Sequence, residues 1–223
     1  MTETEWLACD DPVPMLRRFG DHLAPRKARL WACACARRIW QHLTMPEWRE
    51  AVEVAEQFAD GQTDAQALEA ARAAASAAHW GAKRGLRDTA RQVSLARGYI
   101  AVVAGHRGDC IAGQCADSES FHLARSRFPE DASAQAALLR DLFGPSPFRR
   151  LPRINPTWLA WEGGTVPKLA ESIYEERAFD RLPILADALE EAGCDAAELL
   201  RHLRGPAPHV RGCWAVDLVL GRG

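Results

Sequence analysis

Histidine and cysteine residues are the strongest candidates for chemistry in this chain, because they supply the nitrogen and sulfur donors that zinc prefers. One cluster follows the spacing H-x3-C-x4-C-x6-H and comprises His106, Cys110, Cys115 and His122. Its stretch of sequence has little helical pattern, so a bound metal would supply stability there. The spacing matches no standard zinc finger, and the alternative that the two cysteines are small apolar loop residues stays open.

A second group of such residues lies near the end of the chain and comprises Cys194, His202, His209 and Cys213. If the last helix begins near Pro208, His209 and Cys213 are four residues apart on one face and can share a ligand, with His202 brought close by the preceding turn. In the alternative interpretation, Cys213 packs beside Trp214 and the histidines bond to backbone groups.

No spacing in the chain points to a particular reaction. Acidic pairs such as Glu175 and Glu176 are adjacent, so on a helix their side chains point to different sides. The sequence contains no nucleophile turn, no glycine-rich phosphate loop and no HExxH helix. These observations argue against catalysis, although an enzyme of unrecognised type remains an alternative.

The charge pattern argues against nucleic acid as a partner. The chain has 223 residues and a formal net charge of −2, so no overall positive field attracts phosphates. One local basic and aromatic patch comprises Phe148, Arg149, Arg150 and Arg153, and acids of the two halves can neutralise it. No apolar run is long enough to span a membrane. The odd number of cysteines, seven, predicts reduced thiols and a cytoplasmic protein.

Tryptophans offer the best candidate surface for another protein. Trp158 and Trp161 lie just before a glycine pair, outside the predicted regular helices. Aromatic side chains are enriched in interfaces, so we predict this pair as a docking surface. The alternative is that both rings cap the C-terminal part of the chain.

Apolar residues recur every three to four positions along most of the chain and predict an all-α fold of packed helical hairpins. We predict an N-terminal multi-helix domain at 1–143, a Pro- and Arg-rich linker at 144–154 and a C-terminal four-helix subdomain at 155–223. The predicted C-terminal helices run from Val166 to Glu176, from Leu182 towards Gly193, from a capping box at Asp195, and from Pro208 to Leu220.

The last predicted helix is apolar on nearly every side except at Asp217. A buried carboxylate needs donors, and Arg211 and Arg204 are close in the sequence. We therefore predict structural polar roles for Asp217, Arg211 and Arg204, and for Asp187 in the preceding part of the subdomain.

Two parts of the chain have a familiar sequence. They are the opening EWLACDDPVPML, RLWACACARRIW and AVEVAEQFADG, and the closing AFDRLPILADALEEAGC and LLRHLRGPAPHVRGCWAVDLVLG. With these motifs, both ends of the chain resemble a paralogous family of planctomycete-type bacterial proteins. That family has no established activity, so the resemblance implies none.

The closing part also resembles repeat-companion segments of the form D-x-x-P-R-L-x-x-A-D-W-L-E-E-x-G. The matching residues are Asp180, Pro183, Ala186, Asp187, Leu189, Glu190, Glu191 and Gly193. Ile184 and Ala188 depart from the pattern, which has Arg and Trp there. Such segments accompany other modules, so the resemblance implies an accessory or protein-interaction role. Apart from a possible zinc ion, we predict no cofactor. A zinc-stabilised binding protein using the cluster from His106 to His122 is the alternative.

Overall fold

The computed structural model describes residues 1–82, 129–145, 147–206 and 208–222. Within these ranges the regular structure is helical and contains no strand, which confirms the predicted all-α class. The chain divides into two compact units, Met1–Leu139 and Arg140–Gly223. None of the helices in the described ranges is long and apolar enough to cross a membrane.

In the first unit, the described residues up to position 82 form five α-helices. A sixth α-helix begins in this unit and ends in the second. They are α1 (Glu3–Ala8), α2 (Pro12–Phe19), α3 (Pro25–Arg38), α4 (Pro46–Ala59), α5 (Ala65–Ala82) and α6 (Pro129–Phe143), the last four residues of which belong to the second unit. Helix α4 packs against both α3 and α5. Every residue from Ala28 to Ala36 is buried, so α3 is the central helix that its apolar pattern predicts.

Five further α-helices lie in the described residues of the second unit. They are α7 (Pro156–Ala160), α8 (Thr165–Glu176), α9 (Leu182–Glu191), α10 (Ala197–Leu203) and α11 (Trp214–Leu220). Helix α8 packs against α9 and α11, and α9 packs against α10. Their inward side chains form one core that includes Ile173, Tyr174, Leu185, Leu199 and Val216. The predicted apolar stripes thus become the buried faces.

Two predicted helix starts in this unit are wrong. The last helix begins at Trp214 rather than near Pro208, because residues 208–213 adopt turns and irregular backbone. The capping box at Asp195 does not form, since Ala196 is the N-cap of α10 and makes no side-chain cap bond. The Glu198 carboxylate instead forms a bidentate ion pair with Arg149.

The core of the second unit can be tested with two isoleucines from consecutive helices. Ile173 is 0% exposed and Ile184 is 55% exposed. Replacing Ile173 by alanine leaves a cavity and is expected to lower the free energy of unfolding by about 2 to 5 kcal/mol. The matched change Ile184→Ala should stay within about 0.5 kcal/mol. Urea denaturation measures both, and equal losses would contradict the described packing.

Candidate metal centre

Four potential metal ligands converge in the second unit, and three of them belong to the second predicted cluster. Asp141, His202, His209 and Cys213 each offer one donor atom, and these atoms lie within 4.8 Å of one another. The fourth predicted member, Cys194, is buried but does not belong to this group. We call the four converging residues the Asp-His-His-Cys cluster.

Helix ends and one irregular segment position these side chains. Asp141 lies in the last turn of α6, three residues after the buried Leu138, so the apolar stripe of the helix carries it inward. His202 is in the last turn of α10, and Cys213 is the N-cap of α11. His209 lies between them, in the segment after Gly205 and Pro206 where no helix continues.

Three short distances connect the donor atoms. His209 Nδ1 lies 2.7 Å from Asp141 Oδ1, and His202 Nε2 lies 3.2 Å from the same oxygen. His202 Nε2 also lies 3.1 Å from Cys213 Sγ. The edges of a tetrahedral zinc site with nitrogen, oxygen and sulfur ligands are about 3.2 to 3.8 Å long. Small shifts of the imidazoles would therefore place all four donors around one zinc ion.

The geometry does not match a catalytic Cys-His-Asp triad. In a triad the histidine faces the nucleophile with one ring nitrogen and the carboxylate with the other. Here His202 Nε2 faces both Cys213 Sγ and Asp141 Oδ1. Cys213 is also fully buried, so its sulfur is shielded from solvent. Several donor atoms this close together are the arrangement that a metal site requires.

Two of the candidate ligands also contact backbone groups, through atoms other than their donor atoms. The Val210 N–H donates to Asp141 Oδ2 at 3.0 Å, which leaves Oδ1 directed at the histidines. His209 Nε2 lies 3.4 Å from the Gly205 carbonyl oxygen, on the side of the ring opposite Nδ1. Histidine ligands of metals commonly donate their second N–H to a carbonyl, which fixes the ring and its tautomer.

Burial and mutual contacts change the acidities within the cluster. Burial opposes ionisation of Asp141, but hydrogen bonds and charge from His202 and His209 outweigh it and lower the pKa of the carboxyl. Burial likewise disfavours charged His209, yet the bond and the charge of Asp141 raise its pKa. Burial, reinforced by the Asp141 carboxylate, raises the pKa of the Cys213 thiol well above its ordinary value. The metal-free cluster is therefore built around an ionised Asp141.

Sequence reasoning missed Asp141 as a candidate ligand. The available signal was an acid on the inward stripe of α6, between Leu138 and Leu142, where a charge needs partners. The first predicted cluster, comprising His106, Cys110, Cys115 and His122, lies outside the described residues. Its zinc site stays a prediction.

The two tryptophans predicted as a docking surface pack against the core of the second unit. Trp158 is 7% exposed and belongs to the core, while Trp161 is partly buried beside it. Their positions agree with the capping alternative, and the docking role stays a prediction.

The predicted structural arginines form ion pairs with acids of the same unit. Arg204 pairs with Asp187 at 2.7 Å and also with Glu190. Arg211 is buried, lies over the Tyr174 ring and contacts Glu175 at 3.3 Å. Asp217 is buried, as its apolar surroundings predict. In the basic patch, Arg149 is neutralised by Glu198, and Phe148 is partly buried.

Fold and cluster together define an all-α protein with a candidate four-ligand metal centre in its second unit. Compared with known proteins, the chain matches no family model, no curated protein and no solved structure.

Proposed function

We propose that this protein is a zinc-stabilised, non-catalytic helical module in which Asp141, His202, His209 and Cys213 bind one Zn²⁺. The observation that supports this proposal is that one oxygen, two nitrogen and one sulfur donor lie within 4.8 Å of one another. A zinc-stabilised binding protein is thus the favoured reading, with a ligand set that differs from the predicted cluster from His106 to His122.

The donor set favours zinc over harder cations. Ca²⁺ and Mg²⁺ prefer sites made of oxygen ligands, whereas thiolate and imidazole select zinc and related transition metals. Zinc needs four ligands in a tetrahedron, and four protein ligands leave no position for a reacting water. Three of the side chains are almost completely buried, and His202 is 21% exposed. A buried, fully ligated ion supports a structural role.

The expected contribution of the ion is to fasten the irregular segment before α11. Two candidate ligands, His209 and Cys213, lie in or at the end of residues 204–213, whereas Asp141 comes from the end of α6. Residues 208–213 adopt turns and irregular backbone, so bonds from His209 and Cys213 to one ion would hold them in place. Structural zinc sites contribute their binding free energy directly to folding.

Zinc content of the purified full chain tests this function. We expect one zinc per chain, and loss of that zinc in Cys213→Ala. Cys194→Ala is the matched control, because this second buried thiol lies outside the Asp-His-His-Cys cluster. We compare the control at a free zinc concentration of about a thousand times the dissociation constant with the control after chelation. Its free energy of unfolding should be about 4 kcal/mol lower after chelation. Cys213→Ala should not respond.

A third variant separates this centre from the earlier predicted one. Replacing Cys110 and Cys115 together by alanine should leave zinc content unchanged. If this variant loses the ion while Cys213→Ala keeps it, the ligands belong to the predicted cluster from His106 to His122. If the wild-type chain binds no zinc at all, the proposed function is wrong.

The resemblance to repeat-companion segments supports an accessory or protein-interaction role for such a module. A structural zinc site is compatible with that role, because it stabilises a small helical unit without creating a reactive position. That this module binds another protein remains a prediction.

A further inference from the structure

The Trp214 side chain lies close to the chain segments that contain the candidate ligands. It directly follows Cys213 and is 3% exposed. Its ring lies 4.9 Å from the His202 ring, centroid to centroid, at an angle of 50°. On another side the ring lies against Gly144, three residues after Asp141. One indole therefore contacts or adjoins the chain segments of three of the four candidate ligands.

The contact with Gly144 leaves no room for a side chain. A Cβ atom at this position would lie 2.7 Å from Cγ and Cδ1 of Trp214 and 2.8 Å from its Nε1. These atoms belong to a rigid, buried ring, so they cannot move aside as the end of a flexible side chain can. The backbone of Gly144 also has a positive φ of 52°, which favours glycine.

From these contacts we infer that Gly144 and Trp214 are positioning residues that set the spacing of Asp141, His202 and Cys213 for the metal. This inference rests on the proposed zinc site and extends it to groups that do not bind the ion. Any side chain at position 144 pushes the indole away from α6, and the indole carries Cys213 and the packing surface of His202 with it. The donors then no longer converge at the spacing that zinc needs.

A pair of glycine substitutions in the full chain tests the inference. Gly144→Ala introduces both the strain of a positive φ and the collision with Trp214. Gly221→Ala is the control, because Gly221 also follows a helix with a positive φ, 65°, but has nothing within 4 Å of its Cβ position. Competition with a chromophoric chelator should show Zn²⁺ affinity lowered about 10- to 100-fold by Gly144→Ala, as for other groups that support metal ligands. Gly221→Ala should change the affinity less than about twofold, far below that range.

The absorption spectrum of bound Co²⁺ is a second measurement, and a general loss of stability would not change it. Its visible absorption at saturation reports ligand geometry, so the spectrum should change in Gly144→Ala and stay unchanged in Gly221→Ala. In a Trp214→Ala background that remains folded by circular dichroism, adding Gly144→Ala should cause no further loss of affinity, because the collision is gone. If that background does not fold, the two glycine variants decide alone.

The outcomes separate this inference from the proposed function. Suppose that the wild type binds zinc and that the two glycine variants show equal affinities and identical Co²⁺ spectra. This result overturns the positioning role alone. Absence of zinc binding in the wild type overturns both. A loss confined to Gly144→Ala, accompanied by an altered Co²⁺ spectrum, supports the inference.

Discussion

Replacing Asp141 by asparagine is expected to reduce zinc affinity by more than about 100-fold, since loss of a ligand should exceed the 10- to 100-fold cost of losing an outer partner. The change keeps the size of the side chain but removes the negative charge that both histidines face. Asp141 Oδ1 lies 2.7 Å from His209 Nδ1 and 3.2 Å from His202 Nε2. A neutral amide is a much poorer partner for Zn²⁺ than a carboxylate.

The same substitution should also weaken the metal-free protein. Asp141 accepts the Val210 N–H through Oδ2 while Oδ1 faces the histidines. An asparagine must turn its NH₂ group towards one of these two sides, so part of the buried network loses its acceptor. The expected loss in free energy of unfolding is about 1 to 3 kcal/mol. Chemical denaturation in excess chelator measures this loss separately from the loss of zinc.

Asp217→Asn is the matched control for this prediction. Asp217 is a second buried aspartate of the same unit and lies outside the Asp-His-His-Cys cluster. Its substitution is expected to cost stability while zinc affinity stays close to that of the wild type. If both asparagine variants lose affinity to the same extent, the effect of Asp141 reflects general destabilisation and the ligand assignment is wrong.

Apolar periodicity was sufficient to predict the helices that build the second unit. Helix α8 was predicted from Val166 to Glu176 and runs Thr165–Glu176, and α9 begins at Leu182 as predicted. Each helix buries a regular stripe, and proline near its start or glycine after its end marks the boundary. Such signals are local, so the sequence alone contains them.

The segment before α11 shows where local signals fail. Pro208 is a typical helix start, yet the chain there remains irregular until Trp214. Its backbone is held by a distant residue, since Val210 donates to Asp141 of α6. A contact between residues so far apart in sequence leaves no periodic pattern. His209 and Cys213 do meet, as predicted, but through this loop rather than through successive turns of a helix.

The candidate ligands were therefore only partly predictable. Two histidines and a cysteine within twelve residues, 202–213, attract attention by type alone. Asp141 does not, because acids are common on helices and only its inward position distinguishes it. Proximity in sequence groups Cys194 with the histidines, but the turn after α9 places its thiol outside the Asp-His-His-Cys cluster.

Zinc affinity is expected to rise steeply with pH, by at least about 100-fold between pH 6 and pH 8. The Cys213 thiol must lose its proton to bind the ion, and burial, reinforced by the charge of Asp141, raises its pKa well above the ordinary value. The thiol is thus protonated throughout this range, so each pH unit weakens proton competition about tenfold. Calorimetry in buffers of different ionisation enthalpy should detect at least one proton released per zinc at pH 8.

His209 should make the dependence steeper on the acid side. Despite its burial, the bond to Asp141 raises its pKa, so a second proton competes with zinc below that pKa. Asp141 adds no further proton, because His202 and His209 outweigh its burial and lower its pKa. An affinity that does not change with pH would show that the Cys213 thiolate is not a ligand. Cys194→Ala should follow the wild-type curve.

Without metal, the pair of His209 and Asp141 should give stability the opposite dependence on pH. A raised histidine pKa contributes stability that is complete below the unfolded pKa and is lost as pH rises through the folded pKa. The lowered Asp141 pKa contributes stability that is lost only as pH falls through that lowered value. Between the unfolded and the folded pKa of His209, the chelated protein should therefore lose stability as pH rises, whereas the zinc-bound protein gains it. Denaturation curves with zinc and with chelator should therefore diverge with pH, and parallel curves would contradict a zinc site built on these residues.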